Sequence, residues 1–337
     1  MLRTALIGCG GISRVHISAL MEMADITKLV AIADVLPEKA QAVSEQTGAV
    51  PYTDWAEMLE KERPEVVHLC TPHYLHVPMA KKALAMGIHV LTEKPCAMTL
   101  AQLDELQQAQ KDSTAQLGVC FQNRYNAASR CAKEWTETKK YGELLGARAV
   151  VTWMRGEEYF NSAEWRGTWA QEGGGVMINQ AIHTMDLMQW CCGKIESISA
   201  QIANNSLQGT IEVEDTCSAL LEFAGGKRGL FYATLAYNKS APILLELMFE
   251  QGTLRIEKDN LYLTDANGSV QTISQDETAQ KVGKGDWGNG HQLLIADFYD
   301  CIQSGRPFAI DAFEGGKAAQ AVLQIYESSK KNEKVFL

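Results

Sequence analysis

The chain lacks an excess of positive charge and any long apolar run, and each absence excludes a class of protein. Its 337 residues hold 31 Lys and Arg against 41 Asp and Glu, a formal net charge of -10. Because nucleic acid and anionic membranes attract positive charge, neither is expected as the main partner. No apolar stretch approaches the roughly 18 residues that a membrane-spanning helix needs. Gly8–Gly11 interrupts the first apolar run and no small-residue cleavage site follows, so we expect no secretory signal peptide.

Cysteine spacing typical of a metal site is also missing. The nine cysteines are scattered, with no two C-x-x-C pairs that would hold zinc. We therefore predict no metal site and interpret the cysteines as reduced thiols, which indicates the cytoplasm. Cys191 and Cys192 end an apolar helical run and are interpreted as small buried hydrophobic residues.

The chain does contain enough apolar sequence for a large core, 46% of its residues, with 21% charged. This balance is typical of a soluble globular protein, and the length fits two domains. The first ~120 residues alternate short β-branched runs with helical patterns, which predicts βαβ units and a doubly wound parallel sheet. The predicted strands are Thr4–Ile7, Leu29–Ala33, Val66–Cys70, Ile88–Leu91 and Gln116–Phe121; the predicted helices are Ile12–Met23, one beginning at Pro37, Val77–Met86 and Ala101–Lys111.

Beyond residue 122 strand-like runs follow one another across glycine-bearing turns, which predicts an α+β domain with a large, mostly antiparallel open sheet. We therefore predict one domain over residues 1–122 and a second over residues 123–337. The predicted strands of the second domain are Ala147–Trp153, Ile198–Ala203, Cys217–Phe223, Gly229–Ala236, Leu244–Phe249 and Thr253–Ile256; its predicted helices are Ile178–Trp190, His291–Gln303 and Phe313–Ser329.

A glycine-rich loop, Gly8-Cys9-Gly10-Gly11-Ile12-Ser13, joins the first strand to the first helix. In this setting the first glycine permits a tight turn, the second lets the backbone approach a pyrophosphate, and the helix amides meet its charge. Ser13 departs from the pattern, which usually has glycine or alanine there. Asp34 ends the second strand, where an acid accepts hydrogen bonds from the ribose of NAD and repels the 2′-phosphate of NADP. The sequence therefore predicts a Rossmann domain that binds NAD, with NADP less favoured.

Four blocks of sequence together resemble the glucose–fructose oxidoreductase, inositol dehydrogenase and rhizopine-catabolism (Gfo/Idh/MocA) family. The resemblance covers the whole chain and implies a sugar-like or polyol substrate. The blocks are Ala5–Ser13 with Asp34, Thr71-Pro72 through His76, Gly87 through Glu93-Lys94-Pro95, and Gly173-Gly174-Gly175 through Asp186.

This resemblance implies catalytic roles for two residues and a question about a third. Lys94 corresponds to a lysine between substrate and nicotinamide that orients the reacting hydroxyl and stabilises charge on its oxygen. His183 corresponds to the histidine that takes or returns the hydroxyl proton, and Asp186, one helical turn on, is expected to support its helix. Asn179 stands where the family usually has aspartate, and an amide cannot act as a base. We therefore expect Lys94 and His183 to carry the proton chemistry, and Asn179→Asp to preserve activity or shift its pH optimum.

The resemblance also implies which residues border each ligand. Arg166 is expected to pair with a carboxylate or phosphate, and the tryptophans of Trp165–Trp169 to stack on a sugar, although packing explains this segment equally well. The spacing of His73 and His76 would suit a metal, but no further ligands accompany it. The expected cofactor residues are Gly8, Gly10, Gly11, Ile12, Asp34, Thr71, Pro72, His73, His76, Glu93 and Lys94; the expected substrate residues are Asn123, Arg124, Tyr125, Trp165, Arg166, Asn179 and His183.

Three functions remain open at this point. The first is an NAD-dependent oxidoreductase that moves a hydride between nicotinamide and a secondary alcohol or ketone of a sugar, polyol or nucleotide sugar. The others are a non-enzymatic dinucleotide sensor and an NAD-retaining lyase or glycosidase on the same fold. Lys94 and His183 favour the oxidoreductase. The apolar runs Ala219–Leu221 and Leu244–Phe249 predict a homodimer or homotetramer, because an open sheet must cover its second face.

Overall fold

The chain forms two compact units in a computed structural model that describes residues 1–257, 260–274 and 290–337. The first unit comprises Met1–Gln122 and residues 290–316, and the second comprises the other described residues. The assignment of all of 123–337 to one domain is therefore wrong for residues 290–316. The expected fold class is confirmed, since a parallel sheet forms the first unit and a large, mostly antiparallel sheet the second.

The first unit is built on a six-stranded parallel sheet in the order β3-β2-β1-β4-β5-β6. This order reverses between β1 and β4, which is the Rossmann topology, and ligands bind outside the carboxyl ends of the strands at such a point. The strands β1 to β6 are Leu2–Ile7, Thr27–Ala33, Val50–Tyr52, Val66–Leu69, His89–Thr92 and Leu117–Val119.

Among the described residues, six α-helices accompany this sheet. The second of these helices begins at Pro37 and ends before Gly48, whose φ of 73° is left-handed. Proline at the start and glycine at the end are typical helix boundaries. The helices of the first unit are α1 Ser13–Glu22, α2 Pro37–Thr47, α3 Trp55–Glu62, α4 His76–Ala85, α5 Leu100–Lys111 and, from the later part of the chain, α9 Gly290–Ser304.

Helix α9 returns to the first unit because its apolar face fits there. Leu294, Ile295 and Phe298 are fully buried, and α9 packs against α1. Tyr299 lies in the same core and its hydroxyl is 2.7 Å from the Thr4 hydroxyl of β1. An amphipathic pattern shows that a helix has a buried face but not which core receives it, so the sequence could not decide this point.

The second unit is built on a nine-stranded sheet in the order β14-β13-β12-β11-β7-β10-β9-β8-β15. Its pairings are antiparallel except for that of β7 with β10. The strands β7 to β15 are Leu144–Thr152, Ile195–Ala203, Thr216–Phe223, Arg228–Thr234, Leu244–Phe249, Gly252–Glu257, Asn260–Asp265, Val270–Ser274 and Val335–Phe336.

The helices of the second unit differ from the expected set at one important place. The single helix predicted over Ile178–Trp190 is instead a π-helix, Val176–Ala181, followed by an α-helix. π-helical turns are rare and often occur at functional sites. The α-helices are α6 Ala127–Glu137, α7 Glu157–Phe160, α8 Ile182–Cys192 and α10 Gly316–Lys331. In the part of the chain that the structure describes, no helix is long and apolar enough to cross a membrane.

Candidate functional site

The glycine loop at the end of β1 is shaped by a close approach of two strands. Gly8 has φ 92°, and a Cβ placed on it would lie 2.6 Å from the carbonyl oxygen of Cys70, just beyond β4. Only glycine therefore fits between β1 and β4 at this edge of the sheet. A Cβ on Gly10 or Gly11 would meet nothing within 4 Å, so this part of the loop borders open space that a ligand can fill.

The start of α1 completes a cradle for a pyrophosphate. No side chain caps this end of the helix, and the first amides of a helix have no partner within it. Ser13, the departure from the glycine pattern, is 1% exposed and donates a 2.6 Å hydrogen bond to the carbonyl of Gly10. The Ser13 hydroxyl thus fixes the loop through a hydrogen bond that glycine or alanine at this position could not make. The residues present fit a dinucleotide.

Asp34 connects the ends of β1 and β2. Its carboxylate accepts 2.7 Å and 2.9 Å hydrogen bonds from the backbone amides of Cys9 and Leu36. Burial and the neighbouring Asp34 charge raise the pKa of the Cys9 thiol to about 12, so this cysteine is a neutral thiol. Asp34 therefore shapes the loop in addition to offering charge to a ribose.

The segment after β4, Thr71–His76, is held by one buried histidine. The two ring nitrogens of His76 lie 2.9 Å from the Thr71 carbonyl oxygen and 2.8 Å from that of Pro95. Burial lowers the pKa of His76. Because a neutral imidazole has one N–H, His76 donates to one of these two carbonyls, and its ring lies between the loops after β4 and β5.

Glu93, Lys94 and Pro95 follow directly after β5, on the same edge of the sheet as the glycine loop. The peptide bond between Lys94 and Pro95 is cis. Glu93 is 6% exposed and Lys94 is half-buried. The backbone amide of Lys94 donates a 3.3 Å hydrogen bond to the Glu93 carboxylate, so Glu93 orients the segment that carries the lysine.

In the second unit a buried carboxylate organises the glycine block before the π-helix. Glu214 accepts hydrogen bonds from the backbone amides of Gly175 and Met177, at 2.8 and 3.0 Å, and from the Tyr326 hydroxyl at 2.9 Å. Burial outweighs these bonds and raises the pKa of Glu214 to about 7. A Cβ on Gly175 would lie 1.9 Å from the carbonyl oxygen of Glu214, so this residue must be glycine.

A second buried carboxylate explains the asparagine that replaces the family aspartate. Asn179, on the π-helix, donates its amide to the carboxylate of Glu172 and, at 3.3 Å, to the Tyr159 hydroxyl. Glu172 is fully buried. Because a carboxylate only accepts hydrogen bonds, the amide nitrogen must face Glu172. Position 179 itself carries no charge, but its hydrogen-bond partner Glu172 supplies a carboxylate next to it.

His183 lies in the first turns of α8 and is 9% exposed. Three residues on, Asp186 accepts two hydrogen bonds from Arg124, at 2.8 Å from Nε and 2.6 Å from Nη2. Both partners are buried, and the Arg124 guanidinium also lies over the Trp190 ring at 5.2 Å. This bidentate pair anchors the helix that carries His183. The structure thus uses Arg124, expected at the substrate, to hold α8.

In the segment Trp165–Trp169, expected at the substrate, several side chains contact other residues of the second unit. The Arg166 guanidinium lies over Tyr159 and Trp165, at 4.3 and 4.6 Å from the ring centres, and donates to the Tyr159 hydroxyl. Trp169 packs edge-on against Tyr326. Asn123 is half-buried and Tyr125, 9% exposed, lies under Arg130. Their roles toward a substrate stay predictions.

Sequence reasoning missed three residues of the second unit: Tyr159, Glu172 and Glu214. The hydroxyl of Tyr159 receives hydrogen bonds from Arg166, Asn179 and Gln180. Glu172 carried a signal, since it is an acid next to three glycines in an otherwise uncharged run. Tyr159 and Glu214 carried none, because they are distant in sequence from the block that they contact.

Comparison with known proteins agrees with this geometry. Residues 2–121 match the family described as "Oxidoreductase family, NAD-binding Rossmann fold", and residues 129–255 match the "GFO/IDH/MocA C-terminal domain". The chain is 28% identical to the D-glucoside 3-dehydrogenase of Escherichia coli (strain K12) over 358 residues, with 100% of this chain and 97% of the relative covered.

Solved structures are similar over their full length. The WlbA dehydrogenase from Bordetella pertussis, in complex with NADH and UDP-GlcNAcA, is 30% identical with a TM-score of 0.88, covering 100% of this chain and 98% of that one. Levoglucosan dehydrogenase, in complex with NADH and levoglucosan, has a TM-score of 0.87 at 23% identity, with 100% and 99% covered, and shares the fold. The chain therefore belongs to the Gfo/Idh/MocA family of NAD-binding oxidoreductases.

Proposed function

We propose that this protein is an NAD-dependent dehydrogenase that oxidises a secondary alcohol of a sugar, polyol or nucleotide sugar, or reduces the matching ketone. The observation that carries the proposal is Lys94, half-buried at the end of β5 on the sheet edge that also bears the glycine loop. A cation at this edge, where ligands of such sheets bind, suits an oxygen on which negative charge develops.

The reaction requires that the alcohol lose a hydride from carbon and a proton from oxygen. The Gly8–Ser13 loop and Asp34 would hold NAD, which would serve as the hydride acceptor. We assign the hydroxyl proton to His183 and the stabilisation of the oxygen to Lys94. An imidazole titrates near neutral pH, which suits a general acid–base group. Asn179 cannot take a proton, so it positions groups rather than acting as a base.

The substrate class rests on the relatives. The similar proteins named above are a D-glucoside 3-dehydrogenase, a levoglucosan dehydrogenase and the WlbA dehydrogenase, whose structure contains NADH and UDP-GlcNAcA. We propose a hydroxyl-bearing ring of this kind for the present chain. A screen of sugars, inositols, uronic acids and nucleotide sugars, read by NADH absorbance, identifies the substrate and the direction of the reaction.

We also propose a homo-oligomer in the cytoplasm. On the outer face of the second sheet Leu220 and Leu230 are cross-strand partners, 62% and 45% exposed. Tyr232 and Met248 lie on the same face, since side chains alternate along each strand. The predicted apolar runs thus divide between core and surface, and the surface half suits a second copy of the chain. The location rests on the nine unpaired cysteines, all of which are described.

Asp34→Ala is expected to reduce the ratio of NAD to NADP affinity by about tenfold or more, because it removes a charged hydrogen-bond acceptor and the repulsion of a 2′-phosphate. Asp34→Asn, which keeps one acceptor oxygen, should lose less. Titration of both cofactors measures the ratio, and Glu45→Gln, an exposed acid on α2, is the control. Wild-type protein that binds NADP as tightly as NAD contradicts this assignment.

Lys94→Met and His183→Ala are each expected to reduce turnover by about 100-fold or more, the usual scale for a positioned acid–base group, while NAD binding persists. Steady-state turnover with a substrate from the screen provides the measurement. Lys82→Met, which removes an exposed lysine, is the matched control. If both variants turn over normally, the mechanism is wrong; if no substrate is found and NAD binding changes a partner interaction instead, the protein is a sensor.

Asn179→Asp is expected to reduce turnover by about tenfold or more at neutral pH, which reverses the expectation from the sequence. The new carboxylate would face the Glu172 carboxylate at hydrogen-bond distance, and at neutral pH the two negative charges would repel each other. Lowering the pH should restore part of the activity, because one proton then joins the pair.

The double variant Asn179→Asp, Glu172→Gln is the decisive control. Glutamine can accept from the Gly167 amide, as Glu172 does, and donate to the aspartate, so charge and amide simply exchange places. It should recover most of the turnover that Asn179→Asp loses. An active single variant that the second change does not improve contradicts the role of Glu172.

Leu230→Glu is expected to reduce the molar mass in light scattering toward that of one chain, because it places a charge in the apolar face. Met21→Glu, 51% exposed on the first unit, should leave the mass unchanged. A monomeric wild-type protein at micromolar concentration would refute self-association.

A further inference from the structure

Six buried polar side chains form a continuous hydrogen-bonded chain through the core of the first unit. It begins at Glu93, next to Lys94, and ends at the amino end of β1. No step of the reaction above uses these groups directly. The members, each at most 6% exposed, are Glu93, His16, His68, Tyr299, Thr4 and Thr27.

The contacts along the chain are all of hydrogen-bond length. Glu93 Oε1 is 2.9 Å from His16 Nε2, and His16 Nδ1 is 2.8 Å from His68 Nδ1. His68 Nε2 is 3.1 Å from the Tyr299 hydroxyl, which is 2.7 Å from the Thr4 hydroxyl. Thr4 and Thr27 hydroxyls are 2.7 Å apart, and Thr27 donates to the Leu2 carbonyl at 3.0 Å.

The number of hydrogens does not match the number of contacts when the histidines are neutral. A carboxylate and a carbonyl, which only accept, terminate the chain. Between them stand two imidazoles and three hydroxyls, each of which carries one hydrogen in its neutral form. Those five hydrogens must serve the six contacts just described. One of the six contacts would then join two acceptor atoms with no hydrogen between them, which is costly for buried groups.

One added proton satisfies every contact. If His16 is an imidazolium, it donates to both Glu93 and His68. His68 then donates through Nε2 to Tyr299, Tyr299 to Thr4, Thr4 to Thr27, and Thr27 to the Leu2 carbonyl. The five hydrogen bonds from His16 to the Leu2 carbonyl then all point away from Glu93, and the sixth points from His16 to Glu93.

A metal ion is a poorer occupant of this place. His16, Glu93 and Cys120 are close enough to be considered as ligands. Two atoms held about 2.0–2.1 Å from a tetrahedral zinc would, however, lie about 3.3 Å apart. The 2.9 Å between His16 and Glu93 is a hydrogen bond. Burial and the neighbouring Glu93 charge also raise the pKa of the Cys120 thiol well above its usual value, so the thiol is neutral beside Glu93.

We propose that this chain holds one proton beyond its neutral form, on His16, and that His16, His68 and Tyr299 are positioning residues for the segment Glu93–Lys94. The imidazolium keeps the Glu93 carboxylate ionised in the core. That carboxylate in turn accepts from the Lys94 amide. The orientation of Lys94 thereby depends on a proton stored in the Rossmann core.

The groups that face His16 agree with this distribution of charge. Burial alone would raise the pKa of Glu93, but hydrogen bonds from His16 and His291 hold it well below its usual value. Burial lowers the pKa of His68 and of His291. Burial and the Glu93 charge raise the pKa of the Cys70 and Cys120 thiols, and burial raises that of the Tyr299 hydroxyl next to His68, so all three groups are neutral. By the count of hydrogens the added proton belongs on His16, whose two nitrogens contact Glu93 and His68.

The position of hydrogens on His68 tests the proposal without any substrate. In protein labelled with ¹⁵N at histidine, long-range ¹H–¹⁵N spectra distinguish the two neutral tautomers from the imidazolium. At neutral pH His16 should be protonated on both nitrogens and His68 on Nε2. A neutral His16 with His68 protonated on Nδ1 overturns the proposal. Assignment uses single His→Gln variants.

Removing one hydroxyl should remove the need for the extra proton. In Tyr299→Phe the two imidazoles supply the two hydrogens that their remaining contacts need, and a proton on His68 Nε2 would have no acceptor. Thr4→Val interrupts the chain one step later with the same consequence. Both variants should therefore show neutral His16 and His68 protonated on Nδ1. Tyr326→Phe, a buried hydroxyl of the second unit, should leave these spectra unchanged; a shift there, or none in both test variants, contradicts the count.

The link to Lys94 rests on the proposed function and has its own readout. In Tyr299→Phe the pH at which turnover falls on the alkaline side should be lower by about one to two units. A buried N–H without an acceptor destabilises the protonated form by a free energy of that size. NAD affinity, measured separately, reports on folding of the loop. If the spectra are as expected but the pH profile of turnover is unchanged, the extra proton on His16 is confirmed and its effect on Lys94 is excluded.

Discussion

The pairing of β1 with β4 is the constraint on which the cofactor site depends. These parallel strands stand where the strand order reverses, so the loops at their carboxyl ends diverge and leave an edge that ligands can reach. Gly8 lets the two backbones meet, Asp34 holds the loop amide from the neighbouring strand, and β5 adds Glu93 and Lys94 to the same edge. The chemistry of the first unit is thus a consequence of strand order.

Three buried carboxylates, one in the first unit and two in the second, organise the candidate residues of their own unit, and each is stabilised in a different way. Glu93 is paired with histidines, Glu172 accepts from a side-chain amide and a backbone amide, and Glu214 accepts from two amides and a tyrosine. A buried charge is costly unless it is paired or hydrogen-bonded. Because each carboxylate demands its particular donors, it fixes the backbone or side chain that supplies them.

In the second unit this demand explains an unusual combination of residues. The donors required by Glu214 hold Gly175 and Met177 at the start of the π-helix, and Glu172 requires an amide rather than an acid at position 179. Arg124 and Asp186 then fix the following α-helix with a bidentate pair. Asn179 and Glu172 therefore form one buried pair, in which Glu172 supplies the carboxylate and Asn179 the donor.

The sequence by itself determined the Rossmann topology, NAD as the cofactor and the family, because these depend on local patterns: the alternation of strands and helices, the loop Gly8–Ser13, Asp34 after β2, and Lys94 after β5. It could not place α9, since amphipathicity does not identify the core that receives a helix. It missed the helices α3, α6 and α7 and the strands β3, β13, β14 and β15, which are short, lie toward the ends of the sheets or lack a strong apolar run. Only the tertiary structure brought Glu172 to Asn179, Arg124 to Asp186 and His68 to Tyr299, because the partners of a buried polar group are set by three-dimensional packing and not by distance along the chain.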